Sequence, residues 1–246
     1  MKRNYHFGGA HHFLGVTFPD GNRKQDRMIS FSLAPEFSCP ADAPCRAENG
    51  GTCYYQQTGN YRPSVAKSAL RNWQVYATDP GRFWKAVRKA VKLASDQKIG
   101  FRPFEGGDIP FYAFFVELMK IAQEYPGVMH GMTKQYAIVN RYIEEHGGDK
   151  ACILRYYHLR FSEWPNYPMD NKYGMPTFSL TFNEDETTCL EQKMKMLGHE
   201  WSCQDCHNRK IGCYSAINQS IMCIDHTTEA KIVRQRGLWK KEEDCK

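Results

Sequence analysis

The stretch IGFRPFEGGDIPFYAFFVELMKIAQEY at residues 99–125 decides the fold class. Its first ten residues have the apolar content of a short strand and end in the glycine turn EGGD (105–108). From residue 109 onward the apolar side chains recur at helical spacing. A strand that leads through a tight turn directly into a helix is the repeating unit of a parallel sheet covered by helices.

The same alternation of strand and helix patterns continues on both sides of this stretch. Upstream, MISFSL (28–33) predicts a strand, and residues 63–78 and 80–96 predict two helices. Downstream, the strand candidates are GVMHGMT (127–133), ACILRYYHLRFS (151–162), PTFSLTF (176–182) and QSIMCIDH (219–226), with a helix predicted directly after the first of them. About six parallel strands are fewer than the eight of a closed barrel. We therefore expect an α/β fold of the partial (β/α) barrel type, with an open doubly wound sheet as the alternative.

Length and composition predict one globular domain over residues 1–246, with the barrel and a metal site in 28–226 and a C-terminal helix or tail in 227–246. The formal charge of +6 permits an anionic partner without requiring one. The apolar stretch 109–119 is too short to span a membrane, so no membrane association is expected. The N-terminus has no apolar signal core, and we expect a protein of the reducing cytoplasm.

Six of the ten cysteines fall into two groups. The N-terminal group is C-x5-C-x7-C (Cys39, Cys45 and Cys53), and the C-terminal group is C-x2-C-x6-C (Cys203, Cys206 and Cys213). Because cytosolic thiols rarely form lasting disulfides, such grouping indicates metal binding. The isolated Cys152 and Cys189 are interpreted as buried thiols.

The spacing leaves the metal open between zinc and an iron–sulfur cluster, because both take thiolate ligands. In the zinc alternative, His207 or Cys223 completes a structural site with the C-terminal group. A zinc-stabilised module could use the basic helix face of Lys85, Arg88, Lys89 and Lys92 to contact nucleic acid, although such faces are usually only solvated.

The segments SCP (38–40), FRPFEGGD (101–108) and CQDC (203–206), with the following Cys213, resemble the gene-product-88-like proteins of bacteriophages over residues 28–226. The resemblance implies a viral protein of the host cytoplasm with a shortened radical-SAM-type barrel. It also implies an iron–sulfur cluster, a 4Fe-4S cluster in the first instance, bound where cysteine-rich N- and C-terminal segments converge. The implied ligands are Cys39, Cys203, Cys206 and Cys213, with Cys45 and Cys53 as alternatives or as a second site. The x6 spacing before Cys213 departs from the tighter spacing of the family.

An iron without a protein ligand could bind sulfide or another small molecule and carry redox or sulfur-related chemistry. The C-x3-C-x2-C loop of radical-SAM enzymes does not occur in the sequence, so SAM cleavage is not expected and an atypical SAM-dependent radical enzyme is a further alternative. By position, Glu105, Gly106, Gly107 and Asp108 correspond to the SAM-contacting turn of that superfamily. The alternative is an ordinary strand-to-helix loop in which Asp108 caps the next helix. His226, at the end of the last predicted strand, is a candidate cluster-proximal group or a structural histidine.

Overall fold

The computed structural model describes residues 9–22, 25–51, 53, 55–56, 62–164, 167–181, 189–215 and 220–224. The strands are β1 (Ala10–Phe13), β2 (Val16–Pro19), β3 (Ile29–Phe31), β4 (Phe101–Pro103), β5 (Met129–Thr133), β6 (Tyr157–Ser162), β7 (Thr177–Thr181) and β8 (Ile221–Ile224). The helices are α1 (Pro35–Ser38), α2 (Pro63–Thr78), α3 (Pro80–Asp96), α4 (Tyr112–Glu124), α5 (Tyr136–Glu145), α6 (Ala151–Leu154), α7 (Leu190–Met196) and α8 (Cys203–Arg209). Short 3₁₀ helices cover Ala47–Asn49 and Gly212–Tyr214.

Strands β3 to β8 form one sheet in which the spatial order is the chain order and every neighbouring pair is parallel. A doubly wound sheet requires the strand order to reverse, so that alternative is wrong. Within the described residues β3 and β8 each pair on one side only, and the barrel is not closed. The predicted α/β fold with a parallel sheet is confirmed.

The two faces of the sheet differ in chemistry. Ile29, Phe31 and Phe101 face the helices and belong to the main hydrophobic core. On the opposite face, Ser30 lies beside Arg102, and further across the sheet His130 lies beside His158 in register. We call this opposite side the polar face. Because these polar side chains lie outside the helix-covered core, the polar face is a candidate location for a functional site.

Helix α3 shows why the core forms where it does. Asp79 is its N-cap and accepts a hydrogen bond from the Arg82 backbone N–H at 2.9 Å, and Pro80 occupies the first turn. Its apolar stripe is fully buried and packs against α4 through Phe83, Trp84 and Phe114. Burying one such ring stabilises the fold by about 1.5–3 kcal/mol. Truncating Phe114 to alanine would therefore remove a contact on which both helices depend.

The N-terminal hairpin β1–β2 is an element that the sequence argument does not assign. Its turn, Leu14-Gly15, has positive φ at both residues (51° and 87°), as a tight hairpin turn requires. Asn72 of α2 attaches the hairpin to the sheet, since its amide donates to the carbonyls of Thr17 and Ser32 and accepts from the Thr17 N–H. Asn72 is fully buried, so these bonds satisfy polar groups that water cannot reach.

Two segments differ from the sequence prediction. Residues 151–162 were expected as one strand but form α6 followed by β6, and Asp149 accepts from the Ala151 N–H to begin the helix. Residues 203–209 form α8, a helix that the sequence analysis does not assign, and the C-x2-C pair lies at its start. No helix in the described part of the chain has the length and apolar character needed to cross a membrane. His226 and the predicted tail 227–246 lie outside the described residues.

Candidate functional site

The N-terminal cysteine group lies at the carboxyl edge of the sheet. Cys39 follows β3 and α1, and its backbone N–H donates to the Pro35 carbonyl at 3.0 Å. Burial raises the pKa of the Cys39 thiol, and the charges of Asp108, Cys45 and Cys53 raise it further. Thiols that influence one another in this way lie close in space. The three N-terminal cysteines therefore form one neighbourhood at the edge where parallel-sheet sites are found.

The chain between Cys39 and Gly51 is folded back on itself. Gly51 donates its N–H to the Arg46 carbonyl at 2.9 Å, and a Cβ at Gly51 would stand 2.1 Å from the Pro44 carbonyl oxygen. The Asn49 amide bonds the carbonyls of Ala41 and Ala43, each at 2.9 Å. This loop is thus compact enough to hold Cys39 and Cys45 near one another.

The glycine turn supports the cysteine segment. A Cβ at Gly106 would lie 2.2 Å from the Tyr55 ring, and one at Gly107 would lie 2.5 Å from the Ser38 hydroxyl. Gly107 also has φ +85°, which side chains rarely adopt. Both glycines are required because the chain around Cys39 and Tyr55 packs directly on them.

The two acidic residues of the turn are engaged within the protein. Glu105 accepts hydrogen bonds from Asn22 at 2.9 Å, from Ser30 at 3.1 Å and from Gln25 at 3.5 Å. These contacts attach the loop before β3 to the end of β4.

Asp108 joins the ends of β4 and β5. Its carboxylate accepts from the Thr133 hydroxyl at 2.5 Å and from the backbone N–H groups of Lys134 and Ile109, each at 2.8 Å. Burial raises its pKa, while these bonds act against the shift. The expectation that Asp108 caps the next helix is wrong, because α4 begins after Phe111.

The C-terminal cysteines are held by a capped helix. Ser202 and Asp205 form a reciprocal capping box at the start of α8, which places Cys203 and Cys206 on its first turns. The Trp201 indole N–H donates to the Cys206 sulfur over 3.2 Å. The Cys206 side chain is buried and packs with Cys203 and with Cys213 of the following 3₁₀ helix.

Cys189 belongs to this C-terminal neighbourhood. Burial raises the pKa of Cys206 to about 11, the Trp201 bond opposes the shift, and the charges of Cys213 and Cys189 add to it. Sequence spacing separates Cys189 from the C-x2-C pair and interprets it as an isolated thiol. The packing of α7 against α8 places Cys189 near the C-terminal cysteines.

The two cysteine groups lie at opposite edges of the sheet. The Gln204 amide oxygen accepts from the Gly100 N–H at 3.1 Å, and its nitrogen donates to the Lys98 carbonyl at 3.3 Å, so α8 docks just before β4 begins. Cys39 instead follows the end of β3. The two groups are therefore attached at opposite ends of the neighbouring three-residue strands β3 and β4, and within the described residues Cys39 does not pack with the C-terminal cysteines. Within the described residues, no three His, Cys, Asp or Glu side chains already stand in metal-binding geometry.

Between these edges lies a buried polar cluster that the sequence analysis does not assemble, although it names His207 as a candidate ligand. The Tyr214 hydroxyl bonds His130 Nδ1 at 2.5 Å, and its ring contacts those of His158 and His207. Burial lowers the pKa of His130 well below its usual value, and the charges of nearby arginines lower it further. Burial likewise lowers the pKa of His207 to about 4.

The buried Arg160 connects this cluster to the C-terminal cysteines. Its guanidinium donates to the carbonyls of Cys213 at 2.9 Å and Gly212 at 3.4 Å. Polar residues at alternate positions of β5 and β6, namely His130, His158 and Arg160, are the sequence signal that could have identified the polar face.

The remaining predicted residues are placed as follows. On the basic helix face, Arg88 forms a two-pronged pair with Glu124, and Lys92 pairs with Asp96 at 2.6 Å, whereas Lys85 and Lys89 are exposed. Cys223 lies in β8, and its side chain is outside what the structure describes. The same holds for the whole of His226.

Comparison of the sequence with known proteins identifies the family to which the chain belongs. The family model described as gene product 88 matches residues 14–163, more than half of the 246-residue chain. The matched segment contains Cys39, Cys45, Cys53 and the glycine turn and ends before the C-terminal cysteines. No curated protein and no solved structure matches the chain. The chain belongs to the gene product 88 family.

Proposed function

We propose that this chain is an iron–sulfur protein whose cluster, in the first instance 4Fe-4S, is bound by Cys39, Cys45 and Cys53 at the carboxyl edge of a partial, radical-SAM-like barrel. The observation that carries the proposal is the compact loop after β3, in which the Arg46 guanidinium donates to the Cys39 carbonyl at 3.4 Å and a Cβ at Gly51 would lie 2.5 Å from the Cys45 carbonyl carbon. A cubane cluster with three thiolate ligands leaves one iron for an external ligand. The C-terminal cysteines lie at the other edge and belong to a different centre.

The donor set fits such a cluster. Three thiols within one compact loop are the ligand type that iron–sulfur clusters take. The raised pKa of Cys39 means that its thiol is neutral at pH 7 without metal, so binding must release its proton. Lys134 acts in the opposite direction and favours the thiolate. Cluster binding therefore draws the thiolates together and couples the metal to the folding of the loop.

The residues beside the cysteines can order a ligand. The Lys134 ammonium donates to the Ser162 hydroxyl at 2.9 Å and lies 5.3 Å from the centre of the Trp164 ring. The Tyr136 hydroxyl donates to the Ser162 carbonyl at 2.5 Å. When bound, the cluster would supply an open iron to which a small molecule such as sulfide could coordinate.

Metal analysis with cysteine variants tests the proposal. Protein purified without oxygen is expected to contain iron and acid-labile sulfide in comparable amounts, with visible absorption. Replacing Cys39 or Cys45 by alanine should abolish iron binding, whereas the matched change at Cys152, outside both groups, should leave it unchanged. Iron that persists in the Cys39 and Cys45 variants but disappears in a Cys206→Ala variant would contradict this assignment.

A second, structural metal centre is proposed for the C-terminal group, with Cys189, Cys203, Cys206 and Cys213 as zinc ligands. It is supported by the convergence of Cys189 on Cys206 and by the Trp201 N–H bond to the Cys206 sulfur, since hydrogen bonds to sulfur are typical of ligating cysteines. One equivalent of zinc should be lost on Cys206→Ala replacement while iron and sulfide are retained. Loss of iron together with zinc would join the two centres and refute their separation.

Two alternatives follow from the same features and have their own assays. A SAM-dependent radical enzyme requires reductive cleavage of SAM by the reconstituted protein, and absence of cleavage removes this alternative. A zinc-stabilised nucleic-acid-binding module would use the exposed Lys85 and Lys89. Their replacement by glutamine should then weaken binding to a labelled DNA duplex and reduce its salt dependence.

A further inference from the structure

The polar face contains an arginine, Arg102, that forms no ion pair with any residue the structure describes. Arg102 lies in β4 between Phe101 and Pro103, and its side chain is half-buried on the face opposite the helices. Its Nε is buried and has no hydrogen-bond partner. The contact that its guanidinium makes is a long one, 3.9 Å to the sulfur of Met132. In the part of the chain that the structure describes, Arg102 forms no ion pair.

The acidic groups near Arg102 are already engaged. Glu105 bonds Ser30, the register neighbour of Arg102, and also bonds two further side-chain amides. Asp108 accepts from Thr133 and from two backbone N–H groups. Neither carboxylate lies within ion-pair distance of Arg102. A buried donor without a partner costs free energy, and an anion held beside the same guanidinium offsets part of that cost.

The surroundings of Arg102 are electropositive. Arg160 lies on the same face, in register with Met132, which contacts the Arg102 guanidinium. Burial lowers the pKa of His130, and the charges of both arginines lower it further, so this histidine is neutral. Lys134 follows β5 at the carboxyl edge.

Arg102 lies on the face of the sheet opposite the helices. Helices α3, α4 and α5 pack on the other face, and the C-terminal segment docks at the amino edge through Gln204. Arg102 is half-buried rather than sealed, so part of its side chain remains exposed. The planar guanidinium matches carboxylate and phosphate oxygens in a two-pronged geometry.

We propose that the polar face binds the phosphate or carboxylate group of a small anionic molecule, with the Arg102 guanidinium as its principal partner. The oxyanion accepts from the terminal N–H groups of the Arg102 guanidinium, and Met132 packs beside it. The site stands on β4 and β5 and does not depend on the cysteine group, so metal-free protein can be used to test it.

Isothermal titration calorimetry with inorganic phosphate and with succinate, each against chloride at equal ionic strength, distinguishes the two anion classes. Saturable binding of one phosphate per chain assigns a phosphate ligand, and saturable binding of succinate alone assigns a carboxylate. Arg102→Gln should weaken binding at least tenfold. The matched change Arg155→Gln, at an exposed arginine after α6, should leave it unchanged.

Two results would overturn the proposal: no saturable binding of either anion to the wild-type protein, or equal affinity in the Arg102→Gln variant. A thermal scan provides a second readout, since the anion should raise the Tm of the wild type and of Arg155→Gln but not of Arg102→Gln. If Arg102→Gln does not fold, Arg102→Lys is the replacement to use, because it retains the positive charge but removes the paired N–H donors of the guanidinium. At least fivefold weaker binding then supports the assignment, and unchanged affinity overturns it.

Discussion

Replacing Gly107 by alanine measures how tightly the cysteine segment is packed on the glycine turn. The new Cβ would stand 2.5 Å from the Ser38 hydroxyl and 2.6 Å from the Leu33 carbonyl oxygen, and the latter is backbone that cannot swing aside. The left-handed conformation at φ +85° adds about 1–2 kcal/mol for any residue with a Cβ. Overpacking adds about 1–3 kcal/mol. The free energy of unfolding should therefore fall by about 2–5 kcal/mol.

Gly148→Ala is the matched control, because Gly148 also has positive φ, at +76°, but nothing lies within 4 Å of its Cβ position. It should lose only the conformational component, about 1–2 kcal/mol. Urea unfolding followed by circular dichroism gives both values, with unchanged slopes showing that the transition is comparable. Equal destabilisation of the two variants would refute the close packing of Leu33 and Ser38 on the turn. In the iron assay, Gly107→Ala should also reduce cluster incorporation, because the displaced segment carries Cys39.

Three other changes probe the polar interior. In metal-free protein, His207 should contribute a loss of about 2 kcal/mol in the free energy of unfolding as the pH falls from about 6.5 to 4, since the folded state keeps His207 neutral while the unfolded chain takes up the proton; a His207→Gln variant with the same total loss in urea titrations would contradict this. Asp108→Ala leaves the Thr133 hydroxyl and two backbone N–H groups without their acceptor, and should lower the free energy of unfolding by about 2–4 kcal/mol at pH 7. Asn72→Ala removes three bonds to backbone groups of the hairpin and β3 and should cost about 2–4 kcal/mol; a loss below about 0.5 kcal/mol in thermal unfolding would show that the hairpin does not depend on it.

The strand and helix units could be predicted from the sequence because their signals are local. The apolar spacing in residues 80–96 and the strand–turn–helix pattern of 99–125 depend on neighbours within a few positions, and both are observed. The hairpin around Leu14-Gly15 was missed because a two-residue turn with positive φ at a leucine has no strong signature. The α8 helix was missed because a C-x2-C spacing suggests a metal loop. The Ser202 and Asp205 capping pair, three residues apart, was the signal that indicated a helix instead.

The sequence by itself determined the fold class, the resemblance to the gene product 88 family and the cysteine spacings, because each of these depends on the order of residues along the chain. The tertiary structure decided which cysteines are neighbours. Cys39 follows the end of a parallel strand and therefore lies at the carboxyl edge. Gln204 is bonded to Gly100, 104 positions away in the chain, and this contact places Cys206 at the amino edge. Whether spaced ligands converge depends on such distant contacts, which no local pattern records. For the same reason, only the folded sheet reveals that Arg102 lies on its polar face and forms no ion pair with the residues that the structure describes.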